Sequence, residues 1–406
     1  MASPFAVRSF RFQWPADLAT SWAFEMEALI LGWYILSTTG SVQQLVTVAA
    51  LGWLGALLSP FFGVLGDRIG HRTLLCITRS SYALFAAVLT ALTLSGALAP
   101  WHIFVIAALT GLMRPSDMMI RNVLVGQTMQ PGMLLGALGL SRTTSDTARV
   151  AGALAGAGGV ALVGMGAAYA AVTAMYIAAA LLSLGISPRP RSTAWTVTTH
   201  PLTDLKAGFS YVWHKPEQLG AFAMAFLVNL LAYPFVLGLL PYVAKEVYGT
   251  GQAGLGYLAA AFWSGALAGS LAVGAGRWRL RAARTMLWSG GLWFAAILLF
   301  GQTASFALGL ALLFLAGIVQ SFCLTPLAAI MLRGADDSMR GRVMGVRMLA
   351  IWGLPLGLVA AGPLIEQLGY AATSLLYTGL GLGATLAIGY RWRHALWRRS
   401  ASANAA

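Results

Sequence analysis

Gly63-Val64-Leu65-Gly66-Asp67-Arg68-Ile69-Gly70-His71-Arg72-Thr73-Leu74-Leu75 is a short polar turn held between two long apolar runs, 43–62 and 74–95. Glycines at 63, 66 and 70 let backbones approach closely and accept conformations closed to other residues. One acid, Asp67, stands among Arg68, His71 and Arg72. Bases alone would orient a chain in a bilayer. The aspartate and the glycine spacing ask for more, because a carboxylate beside a helix N-terminus is favoured by the helix dipole.

The apolar runs continue on both sides. The chain has 406 residues, 58% hydrophobic and 9% charged, and a mean hydropathy of +0.75. Such values lie far outside soluble norms. A bilayer core about 30 Å thick needs ~20 apolar residues per helical span. Twelve spans are expected near 13–37, 43–65, 74–95, 101–124, 139–163, 166–187, 218–241, 253–275, 285–302, 304–330, 343–363 and 370–391. Gly and Pro interrupt several of them, which membrane helices tolerate where neighbours satisfy the backbone.

The net charge of +14 raises the question of a nucleic-acid partner, and the placement of the charges argues against one. With the amino terminus inside, Lys245 alone among the 26 Lys and Arg falls in an outer loop. This is positive-inside asymmetry, and it places both termini in the cytoplasm of a multi-pass inner (plasma) membrane protein. Met1 to Trp14 has no cleavable signal pattern, so the first span is expected to stay in the mature protein. Cys76 and Cys323 lie in or beside spans and supply no disulfide framework. No metal or cofactor site is read, and His71, His102, His200, His214 and His394 all fall in loops or at span ends.

The longest polar interval, Pro188 to Gln218, divides the spans six and six. The expected organisation is an N-terminal half (1–187), a cytoplasmic linker (188–217) and a C-terminal half with a basic tail (218–406). Within the linker, Pro201 to Trp213 reads as an amphipathic surface helix or a solvated loop. A weak repeat supports the halving, since Pro115 in span 4 corresponds to Pro326 in span 10. The loop Gly276–Arg284 takes the place of the opening motif in the second half, keeping the bases without the aspartate.

The opening motif resembles the signature loop of the major facilitator superfamily, G-x-L-A-D-R-x-G-R-K-x-x-L. Gly63, Leu65, Asp67, Arg68, Gly70, Arg72 and Leu75 match; Gly66 and His71 depart. The resemblance implies an all-α membrane protein, with twelve transmembrane helices in two pseudo-symmetric six-helix halves. Gly32–Ser41, Ala148–Gly152 and Arg340–Gly345 resemble an exporter branch that includes enterobactin exporters and macrolide-efflux proteins. Two departures stand out. Ala153 occupies the proline position of the exporter glycine-proline signature in helix 5, and Ala107 the arginine position of the helix-4 motif. By resemblance, Asp67 and Arg68 belong to a conformational switch that locks the cytoplasmic side, with helices 1, 4, 7 and 10 lining the cavity.

Charge inside a span usually faces a cavity or a partner. Span 1 holds Asp17, Glu25 and Glu27. At about 100° per residue, Asp17, Ser21, Glu25, Ala28 and Gly32 share a stripe, and Glu27 points about 200° from Glu25. Either glutamate is a candidate proton site, the alternative being a permanent ion pair with another helix. Arg114, Asp117 and Arg121 form one stripe in span 4, which makes Arg114 the expected partner of Glu25 or Glu27. Asp17 and Arg114 complete the proton-coupling candidates. Arg72 and Gly63, Gly70 of the loop, with Arg121, Asp146 and Arg149, join the switch candidates; Arg142 shares the stripe of Asp146 and Arg149. Asn229 and Tyr233 in span 7, with Gln320, Ser321 and Thr325 in span 10, are candidate substrate contacts.

The function these features imply is secondary active transport by alternating access: a proton-coupled exporter of a small organic molecule such as a drug or siderophore. The alternative is a proton-coupled importer, and a membrane enzyme or a non-transporting membrane protein is remote. No G-x-x-x-x-G-K-[ST] sequence for nucleotide binding is visible. The partners expected are a small-molecule substrate, protons and the lipid bilayer, with the chain acting as a monomer.

Overall fold

The computed structural model describes residues 4–56, 58–129, 131–187, 201–275, 281–336 and 339–397. Pro188–Arg191 and the loop residues 276–280 lie outside the described residues, as do the side chains of Gly63, Asp67, Arg142, Asp204 and Arg340. The described residues are helical, without strands. In chain order the helices are α1 (Arg8–Thr39), α2 (Val42–Leu51), α3 (Ser59–Ile69), α4 (His71–Leu94), α5 (Pro100–Thr128), α6 (Pro131–Leu184), α7 (Pro201–Trp213), α8 (Pro216–Leu231), α9 (Pro234–Leu237), α10 (Leu240–Tyr242), α11 (Gln252–Gly274), α12 (Ala282–Gln302), α13 (Phe306–Arg333), α14 (Arg340–Leu349), α15 (Gly353–Leu368), α16 (Tyr370–Arg391) and α17 (Arg393–Leu396).

Among the described residues, eight helices are long and apolar enough to cross a bilayer, and Val42–Ala56 and Pro216–Leu231 are shorter apolar helices. The helix α1 has the length, at 32 residues, but its acids dilute its hydropathy. The long α6 is two spans, because Gly164 at φ 82° interrupts it. Its arms return to the same stretch of α1: Trp14 Nε1 donates to Thr144 Oγ1 at 2.8 Å, and Ser9 Oγ accepts from the Ser187 amide at 3.1 Å. Twelve spans result. The expected span 2 is broken into α2, a 3-10 turn at Leu54–Ala56, and α3. Span 7 is broken at Pro234, which cannot donate into the α8 ladder. Segment 201–213 is a helix rather than a loop.

The chain divides into two compact units, Met1–Thr198 with Leu237–Ser264, and Thr199–Val236 with Gly265–Ala406. In the first unit, α1 lies along both arms of α6. Its core gathers Phe24, Ile30, Ile35, Tyr82, Tyr169 and Tyr176. In the second, α12 packs on α13 and α16, with Trp293 fully buried and edge-on to Tyr233.

Glycine sets the tightest crossings, and the two units repeat the pattern. A Cβ on Gly55 would sit 1.9 Å from the Leu112 carbonyl oxygen, and one on Gly111 2.0 Å from that of Leu51. The second and fourth spans therefore cross backbone to backbone. The eighth and tenth do the same, with Gly265 meeting the Phe314 carbonyl at 2.0 Å. Gly156 of the fifth span faces Met26 of the first at 2.7 Å, as Gly357 of the eleventh faces Leu230 of the seventh at 1.9 Å. Four small-residue contacts at corresponding helix pairs are the internal repeat in physical form. Small residues drive such association because lipid tails are as apolar as the side chains they would displace.

Enlarging either crossing should therefore destabilise the fold. Gly111→Leu and Gly265→Leu are each expected to cost at least about 1–3 kcal/mol, read as a lower melting temperature in detergent. Gly126→Leu, where a Cβ meets nothing within 4 Å, should melt as wild type does.

Candidate functional site

The three acids on α1 find two kinds of partner, arginine for Asp17 and Glu25 and tyrosine for Glu27. Asp17 pairs with Arg79 of α4, a side chain the structure buries completely. The same guanidinium reaches Asp117 Oδ1 of α5 through Nε at 3.3 Å and donates to Ser183 Oγ of α6 through Nη1 at 2.8 Å. Arg121 Nε lies 3.1 Å from Asp117 Oδ2, and its Nη1 donates to Ser21 Oγ at 3.0 Å. Gln13 Nε2 donates to the Arg121 carbonyl at 2.9 Å. Two bases and two acids thus form a neutral, buried cluster joining α1, α4, α5 and α6. A buried charge is tolerable when it is paired and hydrogen-bonded; the three partners of Arg79 come from three different helices, while Arg121 and Asp117 pair within α5.

Glu25 faces the first arm of α6. Its Oε1 lies 3.4 Å from Arg149 Nε, and Arg149 Nη1 lies 3.6 Å from Asp146 Oδ1. These are looser contacts than those of Arg79, and the side chains are partly open, 25% exposed for Arg149 and 14% for Glu25. The Arg149 guanidinium also stacks over Trp263 of α11, 4.4 Å from the ring centroid. Gly152, one turn along, lets α1 come close: a Cβ there would meet Glu25 Cβ at 2.9 Å.

Glu27 faces the second arm of α6. Tyr169 and Tyr176 donate their hydroxyls to Oε1 and Oε2 at 2.5 and 2.6 Å. Phe24, Tyr82 and Tyr176 pack edge-on or tilted around it, with centroids 5.1–5.7 Å apart. The helical-wheel separation of the two glutamates is thus realised as two neighbours on two arms of one hairpin.

Arg114 departs from expectation. Neither glutamate is its ion-pair partner among the described residues. Its guanidinium lies over the rings of Phe24 at 4.7 Å and Trp53 at 5.1 Å, and its Nε is buried without a hydrogen-bond acceptor. The reason is geometric: Arg149 and the two tyrosines already occupy the carboxylates, leaving Arg114 the aromatic faces, which attract cations.

In the opening loop, Gly70 adopts φ +95°, closing α3 through its amide to the Gly66 carbonyl at 2.8 Å and starting α4. A side chain would be strained there. Arg72 Nη2 donates to the Leu184 carbonyl at 2.5 Å, covering the end of α6. Arg68 is exposed, and the side chain of Asp67 lies outside the described residues. Of the substrate-contact candidates, two meet: Gln320 Nε2 donates to Tyr233 Oη at 2.7 Å. Ser321 donates to the Ala266 carbonyl at 2.7 Å and Asn229 to the Ala225 carbonyl of its own helix at 2.8 Å. Thr325 is exposed.

Sequence reasoning missed Arg79, Tyr169 and Tyr176. The first carried a usable signal, a lone base within an apolar run, since span 1 holds more acid than span 4 can neutralise. The tyrosines carried none beyond being polar-tipped aromatics.

Ionisable groups inside membrane spans mark a functional site, and comparison with known proteins assigns the class. Residues 16–355 match the sequence profile of the Major Facilitator Superfamily, and the chain belongs to that family of membrane transporters. No curated protein matches it significantly in sequence. Solved structures share its fold at low identity. The nucleoside transporter NupG superposes with a TM-score of 0.74 at 13% identity, over 97% of this chain and 100% of that one. A bacterial homolog of the human lysosomal transporter Spinster gives 0.74 at 14%, over 97% and 99%. A D-xylose–proton symporter gives 0.71 at 13%, over 93% and 96%.

Arg79→Met strands Asp17 without its base and should cost about 3–5 kcal/mol, measured by denaturation of the purified protein. Arg149→Met, at a partly open site, should cost clearly less. Equal losses would contradict the distinction between the two clusters.

Proposed function

We propose that this transporter is a proton-coupled exporter of a small organic molecule, such as a drug or siderophore, and that Glu25 carries the proton. The observation behind this reading is the shared guanidinium of Arg149. Two carboxylates, Glu25 on α1 and Asp146 on α6, compete for one base that also rests on Trp263 of α11. When Glu25 is ionised, Arg149 ties α1 to α6. A proton on Glu25 removes that attraction, and Arg149 is left to Asp146 and the indole. The change is local, but it alters a contact among three helices, which is the kind of differential interaction that shifts a two-state equilibrium. Asp17 is the poorer carrier, because its proton would leave Arg79 of a neutral buried cluster undercompensated. Glu27 is held by two hydroxyls and serves as a second, slower-exchanging acid.

Arg114 favours cargo with an anionic group. A guanidinium stacked on two rings, with a buried Nε lacking an acceptor, offers charge beside flat apolar surface. Within the second unit, Tyr233 and Gln320 form a polar pair of their own. The switch roles proposed for the loop, Gly63, Asp67, Arg68, Gly70 and Arg72, follow the family resemblance, and those proposed for Arg121, Asp146 and Arg149 follow the charged stripes of spans 4 and 5. The inner-membrane location and the cytoplasmic termini follow the placement of the bases, and action as a monomer follows a self-contained twelve-span fold. The importer alternative is favoured by Ala153, which sits where the exporter signature has proline.

The test is proton flux in inverted membrane vesicles challenged with a panel of antibiotics, dyes and siderophores. A panel compound should dissipate the pH gradient with wild type, fail to do so with Glu25→Gln, and still do so with Glu27→Gln at a reduced rate. A response unchanged in Glu25→Gln would remove it as the carrier.

A further inference from the structure

A groove of about 590 Å³ opens between α12 and α16, within the range of ligand clefts. Leu292, Leu382 and Leu386 form its walls, with Trp288 at the rim. Two glycines make the space. A Cβ on Gly291 would meet nothing within 4 Å, and one on Gly389 only Leu287 at 3.5 Å. Trp288, Leu292, Leu386 and Tyr390 are all well exposed, so in the bilayer the groove opens toward lipid.

The charge is all of one sign and all at one end. Neither α12 nor α16 contains an Asp or Glu, whereas Arg281, Arg284, Arg391, Arg393 and His394 gather where α12 begins and α16 ends. Arg393 lines the groove itself, stacked 4.9 Å over Tyr390. Arg284 donates to the Trp397 carbonyl at 2.9 Å and lies over its ring, which fastens the short α17 across the same end.

We propose that this groove binds one anionic phospholipid, with an acyl chain along the apolar walls and the phosphate at Arg393. The apolar length demands a chain, and the basic end selects an anion; basic pockets between membrane helices hold such headgroups. A second copy of the protein fits the charges poorly. Two copies related by an axis along the membrane normal would bring the basic ends side by side, where like charges repel. The site is independent of the transported cargo.

Native mass spectrometry of delipidated protein in detergent tests this, titrating phosphatidylglycerol against phosphatidylcholine of identical chains. Wild type should retain one phosphatidylglycerol in preference. Arg393→Gln should lose about fivefold of that preference, the worth of one base near an anionic headgroup, while still binding both lipids. Gly291→Leu, at a position where a Cβ meets nothing within 4 Å, should fill the groove and lose the bound lipid of either kind at an unchanged melting temperature. Millimolar inorganic phosphate should leave the lipid in place. Equal retention of the two lipids by wild type, full lipid binding by Gly291→Leu, an unchanged preference in Arg393→Gln, or displacement by phosphate would each overturn the proposal. If Gly291→Leu does not fold, the Arg393→Gln ratio decides alone.

Discussion

A fully buried guanidinium inside a membrane protein is costly unless its neighbours neutralise it. Arg79 meets that condition through Asp17, Asp117 and Ser183, groups contributed by α1, α5 and α6. Because each compensating atom comes from another helix, the charge works as a specification of which helices meet and in what register. The hydrophobic effect cannot supply that information here, since lipid is as good a solvent for leucine as another helix is. Glycine crossings bring backbones together, and the buried charges say which backbones.

Against this fixed cluster the other two acids read as different devices. Glu25 has a looser, partly open ion pair whose base is shared with Asp146 and stacked on Trp263. Glu27 has no base in contact among the described residues, only tyrosine hydroxyls. One helix thus carries an acid in a buried ion pair, an acid in a partly open one, and an acid held by tyrosine hydroxyls. The separation follows from helical geometry, because Glu25 and Glu27 point at opposite arms of the α6 hairpin while Asp17 lies two turns away on the Glu25 stripe.

The fold was legible in the sequence where the signal was periodic or compositional. Apolar runs, the loop motif and the placement of the bases led to twelve spans and to the family. The turn at Gly164 fell inside the interval expected between spans 5 and 6. Broken helices were less legible: Pro234 marks one, and the interruption between α2 and α3 lies in a glycine-containing apolar stretch that ends at Pro60. In the site, the acids of α1 were identified and their partners were not. Arg114 was expected to pair because it belongs to the charged stripe of span 4, yet a stripe on one helix does not say which neighbour it meets. Arg149 and Tyr169 win those carboxylates through the α6 hairpin, a tertiary arrangement that no local pattern encodes.

The central claim is that Glu25, rather than Asp17, exchanges its proton. The direct measurement is pH-difference infrared spectroscopy of the purified protein, following the protonated carboxyl stretch. The band that titrates in wild type should vanish in Glu25→Gln and persist in Asp17→Asn. A titrating band that survives in Glu25→Gln and disappears in Asp17→Asn would contradict the account.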